Sequence, residues 1–157
     1  MYKLFTKENT TSKDLLKDVL KNELNITNYE LTFNKYNKPY LKNRNIYFNI
    51  SHDKNTTVLV TSDKEIGVDI EYYTYKESVM KKYYNEFEQQ EIINSNNKEY
   101  EFTRIWVMKE AFVKMKGQGI SYGLQNVDTT RLKKQIKLIS NETVSYTHLR
   151  AHETSAH

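Results

Sequence analysis

One stretch of the sequence, Phe102–Ile120 (FTRIWVMKEAFVKMKGQGI), constrains the fold more than any other. Its apolar residues recur at steps of three and four, which is the pattern of a helix with one buried side. Gly117 and Gly119 then stand where a left-handed C-cap would end such a helix. Glu110 and Lys114 lie one turn apart and share a face, so they form either an ordinary surface ion pair or part of a site.

The rest of the chain predicts an α+β fold. Ser12 can cap a first helix, which carries its leucines on one face. Runs of β-branched and aromatic residues predict an antiparallel meander in the first half, and beyond Gly123 the pattern weakens to one or two strands. The predicted strands are Glu30–Phe33, Ile46–Ile50, Thr56–Thr61, Glu65–Glu71 and Gln135–Ile139, and an aromatic-rich second helix is predicted at Glu77–Asn94.

Composition limits the classes of protein to which the chain can belong. Its 157 residues suffice for one domain or two small lobes with a buried core. The net charge of +4 indicates an anionic ligand or an acidic partner, without the dense basic clusters of a nucleic-acid binder. Cysteine is absent, which excludes disulfides and thiolate metal sites. With no long apolar run and no signal-like start, the sequence predicts a cytoplasmic protein that binds neither nucleic acid nor a membrane.

A second acidic element, GVDIE, lies at Gly67–Glu71. Asp69 and Glu71 alternate along the predicted strand, so their carboxylates point to the same face. The two acids either face plain solvent or, together with Glu110, converge on a hard divalent cation that offsets their mutual repulsion. Magnesium is the natural choice, because it favours carboxylates combined with substrate phosphate and water.

Basic and hydroxyl side chains could supply the other half of such a site. Lys114 follows Glu110 by one turn, and Lys38 stands in the turn before Pro39. Ser51 and His52 come at the end of a predicted strand, where a loop can present them to a phosphate, although a histidine in that position is often structural. Carboxylates, lysines and a histidine without cysteine favour metal-assisted chemistry on a phosphate ester.

The last fourteen residues, Val144–His157, differ from the rest of the chain in composition. Every lysine and asparagine precedes Val144, whereas three of the four histidines follow it. His148 and His152 have the spacing of helical metal ligands, but no third ligand is in view. We interpret this tail as foreign sequence that carries no function.

The motifs NKPYL, FNISHD, GVDIE and WVMKEAFVKMKGQGI occur in this order, and with them the chain resembles the 4′-phosphopantetheinyl transferases that activate nonribosomal peptide and polyketide synthases. The helix motif W-x-x-K-E-A-x-x-K-x-x-G is complete from Trp106 to Gly117, and the resemblance covers roughly Lys13 to Asp128. It implies two similar α/β lobes with pseudo-twofold symmetry. Each lobe would be a small antiparallel sheet packed with a helix, with coenzyme A in the cleft between them.

The resemblance implies that a monomer transfers the phosphopantetheine arm of coenzyme A, the substrate, to a serine of an apo acyl- or peptidyl-carrier protein, with Mg²⁺ as cofactor. The leaving group would be adenosine 3′,5′-bisphosphate. Glu88 matches an acid proposed to deprotonate the serine, although Glu86 lies two residues away. The implied metal ligands are Asp69, Glu71 and Glu110. Glu110 and Lys114 are also implied to be catalytic. The residues implied to bind coenzyme A are Lys13, Lys38, Pro39, Ser51, His52, Lys109 and Lys114.

The resemblance also predicts the domain organisation. The first lobe would be residues 1–66 and the second lobe 67–143, both clipped relative to the family, with the second lobe incomplete and the tail at 144–157. Two other functions stay open. An acidic pair with a nearby lysine also serves Mg²⁺-dependent nucleases, and a truncated chain could be a non-catalytic remnant that binds an acidic carrier protein.

Overall fold

A computed structural model of the protein describes residues 1–132, 136–140 and 144–150, the last two segments at the level of the backbone. Two three-stranded antiparallel sheets and a two-stranded ribbon pack with helices. This arrangement confirms the predicted α+β class. The strands are β1 Tyr2–Glu8, β2 Leu31–Phe33, β3 Pro39–Leu41, β4 Tyr47–Asp53, β5 Thr56–Ser62, β6 Ile66–Tyr72, β7 Ile136–Ser140 and β8 Val144–Arg150; the helices are α1 Ser12–Leu24, α2 Glu77–Tyr83, α3 Glu86–Ile93 and α4 Lys98–Lys116.

The first sheet has the order β1-β5-β4 and packs against α1. All seven residues of β5 are buried, because it pairs on both edges and is covered on both faces. The cap lies one residue earlier than predicted, at Thr11 instead of Ser12, because the Thr11 hydroxyl accepts a hydrogen bond from the Asp14 amide at 3.0 Å. The helix ends at Asn25, which adopts a left-handed conformation.

The predicted meander is wrong in two respects, because β2 pairs with β3 in a separate ribbon and β6 does not continue the first sheet. Both edges of β5 are already occupied by β1, for which the sequence made no prediction, and by β4. The strand β6 instead pairs with β8 in a second sheet of order β6-β8-β7. The two sheets meet through apolar side chains of β5 and β6: Val58, Val60, Ile66, Val68 and Ile70.

The helix predicted at Glu77–Asn94 is two helices, α2 and α3, separated by Tyr84 and Asn85. The Asn85 side chain accepts a hydrogen bond from the Glu88 amide, and the Glu88 side chain accepts one from the Asn85 amide, so the pair forms a capping box that starts α3. No helix among the described residues is long and apolar enough to cross a membrane.

The C-terminal part of the chain includes both predicted and unpredicted features. The strand predicted at Gln135–Ile139 is confirmed as β7, shifted by one residue. Residues Val144–Arg150 form β8 between β6 and β7. His148 lies on this strand, and His152 is outside the described residues. The foreign origin of the tail and the lobe boundary at residues 66 and 67 stay predictions.

Candidate active site

The central helix α4 packs directly on β6, and a glycine makes this contact possible. A Cβ atom on Gly67 would lie 2.0 Å from the carbonyl oxygen of Ala111 and 2.6 Å from the amide nitrogen of Met115. Only a residue without a side chain allows the helix and strand backbones to approach so closely. This contact brings the acids of β6 towards the charged face of α4.

Asp69 is the most buried acid of the resulting cluster, with 7% of its surface exposed. Its Oδ1 accepts a hydrogen bond from the Ser51 hydroxyl at 3.1 Å. Its Oδ2 is buried and accepts no hydrogen bond from any described residue. Burial raises the pKa of Asp69 well above its usual range, and the charges of Glu110 and Glu71 raise it further, while Lys114 opposes the shift. A buried carboxylate oxygen without a donor indicates a missing partner.

The other two acids of the cluster are also perturbed. Burial raises the pKa of Glu71 to about 7, and the neighbouring Asp53 carboxyl group contributes to the rise. The Trp106 side chain acts in the opposite direction and lowers this pKa. Burial also raises the pKa of Glu110, and this shift is opposed by Lys114. Burial therefore disfavours the charged forms of these carboxyl groups in the absence of a cation.

Lys114 is the cation within this cluster. Its Nζ donates to the carbonyl oxygen of Ile50 at 2.7 Å, which ties α4 to β4. Burial lowers the pKa of Lys114, while the nearby Asp69 and Glu110 raise it. One lysine thus faces two acids directly, and the third carboxylate leaves the cluster with an excess of acid.

The cluster fits a magnesium site that takes part of its ligands from water and substrate better than one formed by protein ligands alone. In the described part of the chain, no three acidic or histidine side chains are arranged as ready metal ligands. The charges of Glu110 and Glu71 nevertheless raise the pKa of Asp69, whose Oδ2 has no hydrogen-bond donor among the described residues. Magnesium commonly takes one or two carboxylates and completes its shell with water and substrate phosphate, so the residues present suit that ion.

A cleft of about 970 Å³ opens beside the cluster. Glu110 and Lys114 line it on one side, and the turn with Lys38 and Pro39 lines it on another. Its volume is at the upper end of the range for small-molecule sites. The structure therefore joins the acidic cluster to the turn that the sequence assigned to coenzyme A.

Lys38 lines this cleft but uses its ammonium group internally. Its Nζ donates to Glu65 Oε2 at 3.0 Å, to the Ile66 carbonyl at 3.3 Å and to the Met115 carbonyl at 3.2 Å. A lysine ammonium has three donors, and all three are engaged. The side chain thus ties β6 to the end of α4, and the predicted contact of Lys38 with coenzyme A stays a prediction.

Three further predicted ligands lie in different surroundings. Ser51 is buried and donates to Asp69, so it belongs to the acidic cluster. His52 is exposed on the other face of β4, and Lys13 is exposed on α1. Neither His52 nor Lys13 lines the cleft. The structure does not bring these two side chains to the acids, and their predicted contacts with phosphates stay predictions.

Glu88 and Lys109 form a separate buried ion pair. Their side chains are fully buried and 2.9 Å apart. Glu88 accepts further hydrogen bonds from the Asn85 amide and from the amide and hydroxyl of Thr129. Lys109 also donates to the carbonyl of Val127.

Neither member of this pair lines the cleft. The structure thus does not place Glu88 where it could take a proton from a substrate serine, because burial and four donors occupy its carboxylate. It does not place Lys109 against a phosphate either. Glu86, the alternative base, is an exposed residue in the first turn of α3.

Sequence reasoning missed two polar residues of β4 that contact β6. Asn49 Oδ1 accepts a hydrogen bond from the Val68 amide at 2.9 Å, and Asp53 Oδ2 accepts one from the Tyr72 amide at 2.9 Å. The signal was present in FNISHD, where polar residues alternate along an otherwise buried strand.

Comparison with known proteins places these elements in a family. A model of the 4′-phosphopantetheinyl transferase superfamily matches residues 65–156. The chain is 35% identical over 89 residues to the 4′-phosphopantetheinyl transferase psf-1 of Bacillus pumilus, covering 55% of this chain and 38% of that protein. It is 30% identical over 111 residues to the gsp enzyme of the same name from Aneurinibacillus migulanus, covering 68% and 46%.

A third similar protein is the 4′-phosphopantetheinyl transferase ffp of Bacillus subtilis. It is 27% identical over 118 residues, which is 71% of this chain and 53% of that protein. The chain therefore spans about half the length of the curated relatives that it matches.

Proposed function

The chain belongs to the 4′-phosphopantetheinyl transferase superfamily, and we propose that it transfers the phosphopantetheine arm of coenzyme A to a serine of an apo acyl- or peptidyl-carrier protein. The observation that supports this most strongly is the acidic cluster beside the cleft. In it, a buried Asp69 oxygen has no donor among the described residues, and Lys114 stands next to it.

Asp69, Glu71 and Glu110 would hold Mg²⁺ in this proposal. When bound, the ion would neutralise charge on the pyrophosphate of coenzyme A as the phosphoryl group is transferred. Burial raises the pKa of all three carboxyl groups, so a cation bound among them would stabilise their charged forms.

The remaining roles belong to residues that line the cleft. The serine oxygen forms a bond to the phosphorus of the phosphopantetheine, and the phosphoanhydride bond breaks to release adenosine 3′,5′-bisphosphate. Lys114 stabilises negative charge that develops on the phosphoryl oxygens. Glu110 lines the cleft and accepts the serine proton, directly or through water.

A mass-shift assay tests this proposal. The protein is incubated with coenzyme A, Mg²⁺ and an apo carrier protein, and the carrier should gain about 340 Da, the mass of the arm estimated from its covalent composition. Glu110→Ala should abolish the gain. Glu99→Gln, an exposed acid in the first turn of the same helix, is the matched control and should leave it intact.

The outcomes separate the competing functions. Absence of the mass gain with coenzyme A still bound would favour the non-catalytic remnant that binds a carrier protein. Cleavage of DNA in the presence of Mg²⁺ would favour the nuclease. The cytoplasmic location, the monomeric state and the absence of nucleic-acid or membrane binding remain predictions alongside this proposal.

A further inference from the structure

We propose that Asn34 is a positioning residue that joins one wall of the cleft to the C-terminal end of α4 and thereby raises the affinity for coenzyme A. The wall is the turn between β2 and β3, residues 34–38. The inference rests on the proposed function only in taking the cleft as the site of coenzyme A. Asn34 itself was not among the residues that the sequence assigned to a site.

The first observation is that the Asn34 side chain organises the turn. Its Oδ1 accepts hydrogen bonds from the amide of Tyr36 at 2.8 Å and from the amide of Lys38 at 3.0 Å. An asparagine oxygen that accepts from the amide two residues further on mimics a backbone turn and holds the chain in one shape. Because Tyr36, Asn37 and Lys38 line the cleft, this shape defines the cleft wall.

The second observation is a hydrogen bond that leaves the turn. Asn34 Nδ2 donates to the carbonyl oxygen of Gly117 at 2.7 Å, although the two residues are 83 positions apart in the sequence. Gly117 ends α4 in a left-handed conformation with a φ of 69°, and it also lines the cleft. A Cβ atom on Gly117 would lie 3.0 Å from Asn34 Nδ2 and 3.0 Å from the Cδ atom of Lys38. The turn therefore packs directly against the end of the helix.

The third observation is that other contacts hold the charged groups of α4 that line the cleft. Lys114 donates to the carbonyl oxygen of Ile50, and Gly67 allows α4 to pack closely on β6. Loss of the Asn34 hydrogen bond to α4 should therefore release the turn while Glu110 and Lys114 stay in place. Only a fraction of the molecules would then have the cleft wall in position, and the apparent affinity for coenzyme A falls in proportion to that fraction.

Two variants of Asn34 separate the shape of the turn from its link to the helix. Asn34→Asp keeps an oxygen for the amides of Tyr36 and Lys38 but removes the donor to Gly117. Asn34→Ala removes all three side-chain hydrogen bonds. Asn37→Asp is the matched control for charge, because it adds the same carboxylate to the same turn and leaves the Asn34 side chain unchanged. Aspartate, like asparagine, tolerates the φ of 69° at this position.

The first measurement needs neither coenzyme A nor a carrier protein. NMR follows the exchange of side-chain amide protons with solvent, and the resonance that is absent from Asn34→Ala belongs to Asn34. The Asn34 proton that is bonded to Gly117 should exchange about 10-fold more slowly than the side-chain amide protons of Asn97. Asn97 is the reference because its side chain accepts a hydrogen bond from the Tyr100 amide at the opposite end of α4.

The second measurement is the dissociation constant for coenzyme A, obtained by titration calorimetry, together with kcat from the mass-shift reaction. Asn34→Asp should raise the dissociation constant by about 3- to 10-fold, the size expected for one hydrogen bond, and Asn34→Ala by at least as much. Both variants should keep kcat within about 2-fold, since the turn is also joined to α4 by Lys38, which donates to the Met115 carbonyl.

The control separates this effect from charge repulsion. Asn37→Asp should weaken binding only at low salt, because salt screens the repulsion between an exposed carboxylate and an anionic ligand. The effect of Asn34→Asp should persist at high salt.

Three results would overturn the proposal. An Asn34 amide that exchanges as fast as that of Asn97 would show that the link to Gly117 is not made. Equal dissociation constants for Asn34→Asp and Asn37→Asp at every salt concentration would leave charge as the cause. A fall in kcat with an unchanged dissociation constant would assign Asn34 to the stability of the fold. If the unmodified protein did not bind coenzyme A, the proposed function would be contradicted, while proton exchange would still decide whether Asn34 joins the turn to α4.

Discussion

Two buried charged clusters include neighbouring residues of α4 and differ in how completely their charged groups are paired. Lys109 joins Glu88 in a pair that is fully buried and supplied with donors and acceptors. Glu110, the next residue, joins a cluster that borders the cleft and includes a carboxylate oxygen of Asp69 with no donor in the described part of the chain. Successive helical residues point about 100° apart, so one helix can serve both clusters.

The difference indicates which charges maintain the fold and which are available for chemistry. A buried charge is tolerated when its hydrogen bonds are made, as around Glu88. In the other cluster, the pKa values of Asp69, Glu71 and Glu110 are all raised, which means that the folded protein holds them in an unfavourable state. Such perturbed groups beside a cleft are typical of functional sites.

The largest expected effect on stability comes from removing the cation of the buried Lys109–Glu88 pair. Lys109→Met should lower the free energy of unfolding by about 3–5 kcal/mol, because it leaves the Glu88 charge buried without a cation. Urea denaturation measures the change. Lys114→Met is the matched variant, and its effect should be smaller, since the acids around Lys114 can take up protons. Equal losses in the two variants would contradict the distinction between the clusters.

Gly67→Ala should have the next largest effect. The added methyl group meets the backbone of α4, so β6 and the helix must separate, at a cost of about 1–3 kcal/mol or more. This substitution should also reduce transferase activity, because it moves Asp69 and Glu71 away from Glu110. Gly119→Ala is the control for this clash, because a Cβ there would meet no atom within 4 Å. Only the positive φ of 57° disfavours alanine at that position. An active Gly67→Ala protein would show that the close contact is not needed.

Asp69→Asn should separate stability from activity. The substitution removes a buried charge that is poorly compensated, and the amide oxygen can still accept the Ser51 hydrogen bond. We expect the free energy of unfolding without metal to rise by up to about 1 kcal/mol, while the mass gain of the carrier protein disappears. Thermal unfolding and the mass-shift assay measure the two quantities. A marked loss of stability would instead assign Asp69 to the fold.

A further expected effect is a dependence of stability on pH. Burial and Asp53 raise the pKa of Glu71 from its usual value of 4.5 to about 7 in the folded protein. Between these values the folded state holds a proton that the unfolded state has released, so the metal-free protein should lose stability as pH rises through this window. Thermal unfolding from pH 5 to pH 8 should show the fall, and Glu71→Gln should flatten it. Added Mg²⁺ should offset the loss at pH 8, whereas an unchanged slope in Glu71→Gln would assign the effect to other groups.

Local patterns predicted much of this molecule. The helical state of α4, its glycine stop and the shared face of Asp69 and Glu71 follow from the periods of helix and strand. The single buried side predicted for α4 is wrong, because its buried residues occur all round the helix. The association of these acids with Glu110 and Lys114 was also expected, and the structure places the four side chains in one cluster.

Only the tertiary structure decided which charges are exposed to the cleft and which are used internally. The sequence presents Lys109 and Glu110, or Glu86 and Glu88, as equivalent charged neighbours. Their roles differ because a hydrogen-bond partner such as Thr129 comes from a segment distant in the chain. The same reason applies to Lys38, whose acceptors lie 27 to 77 residues away. Residue type and hydrophobic period determine the helices and strands, whereas the pairing of buried polar groups depends on contacts that form only when those helices and strands pack.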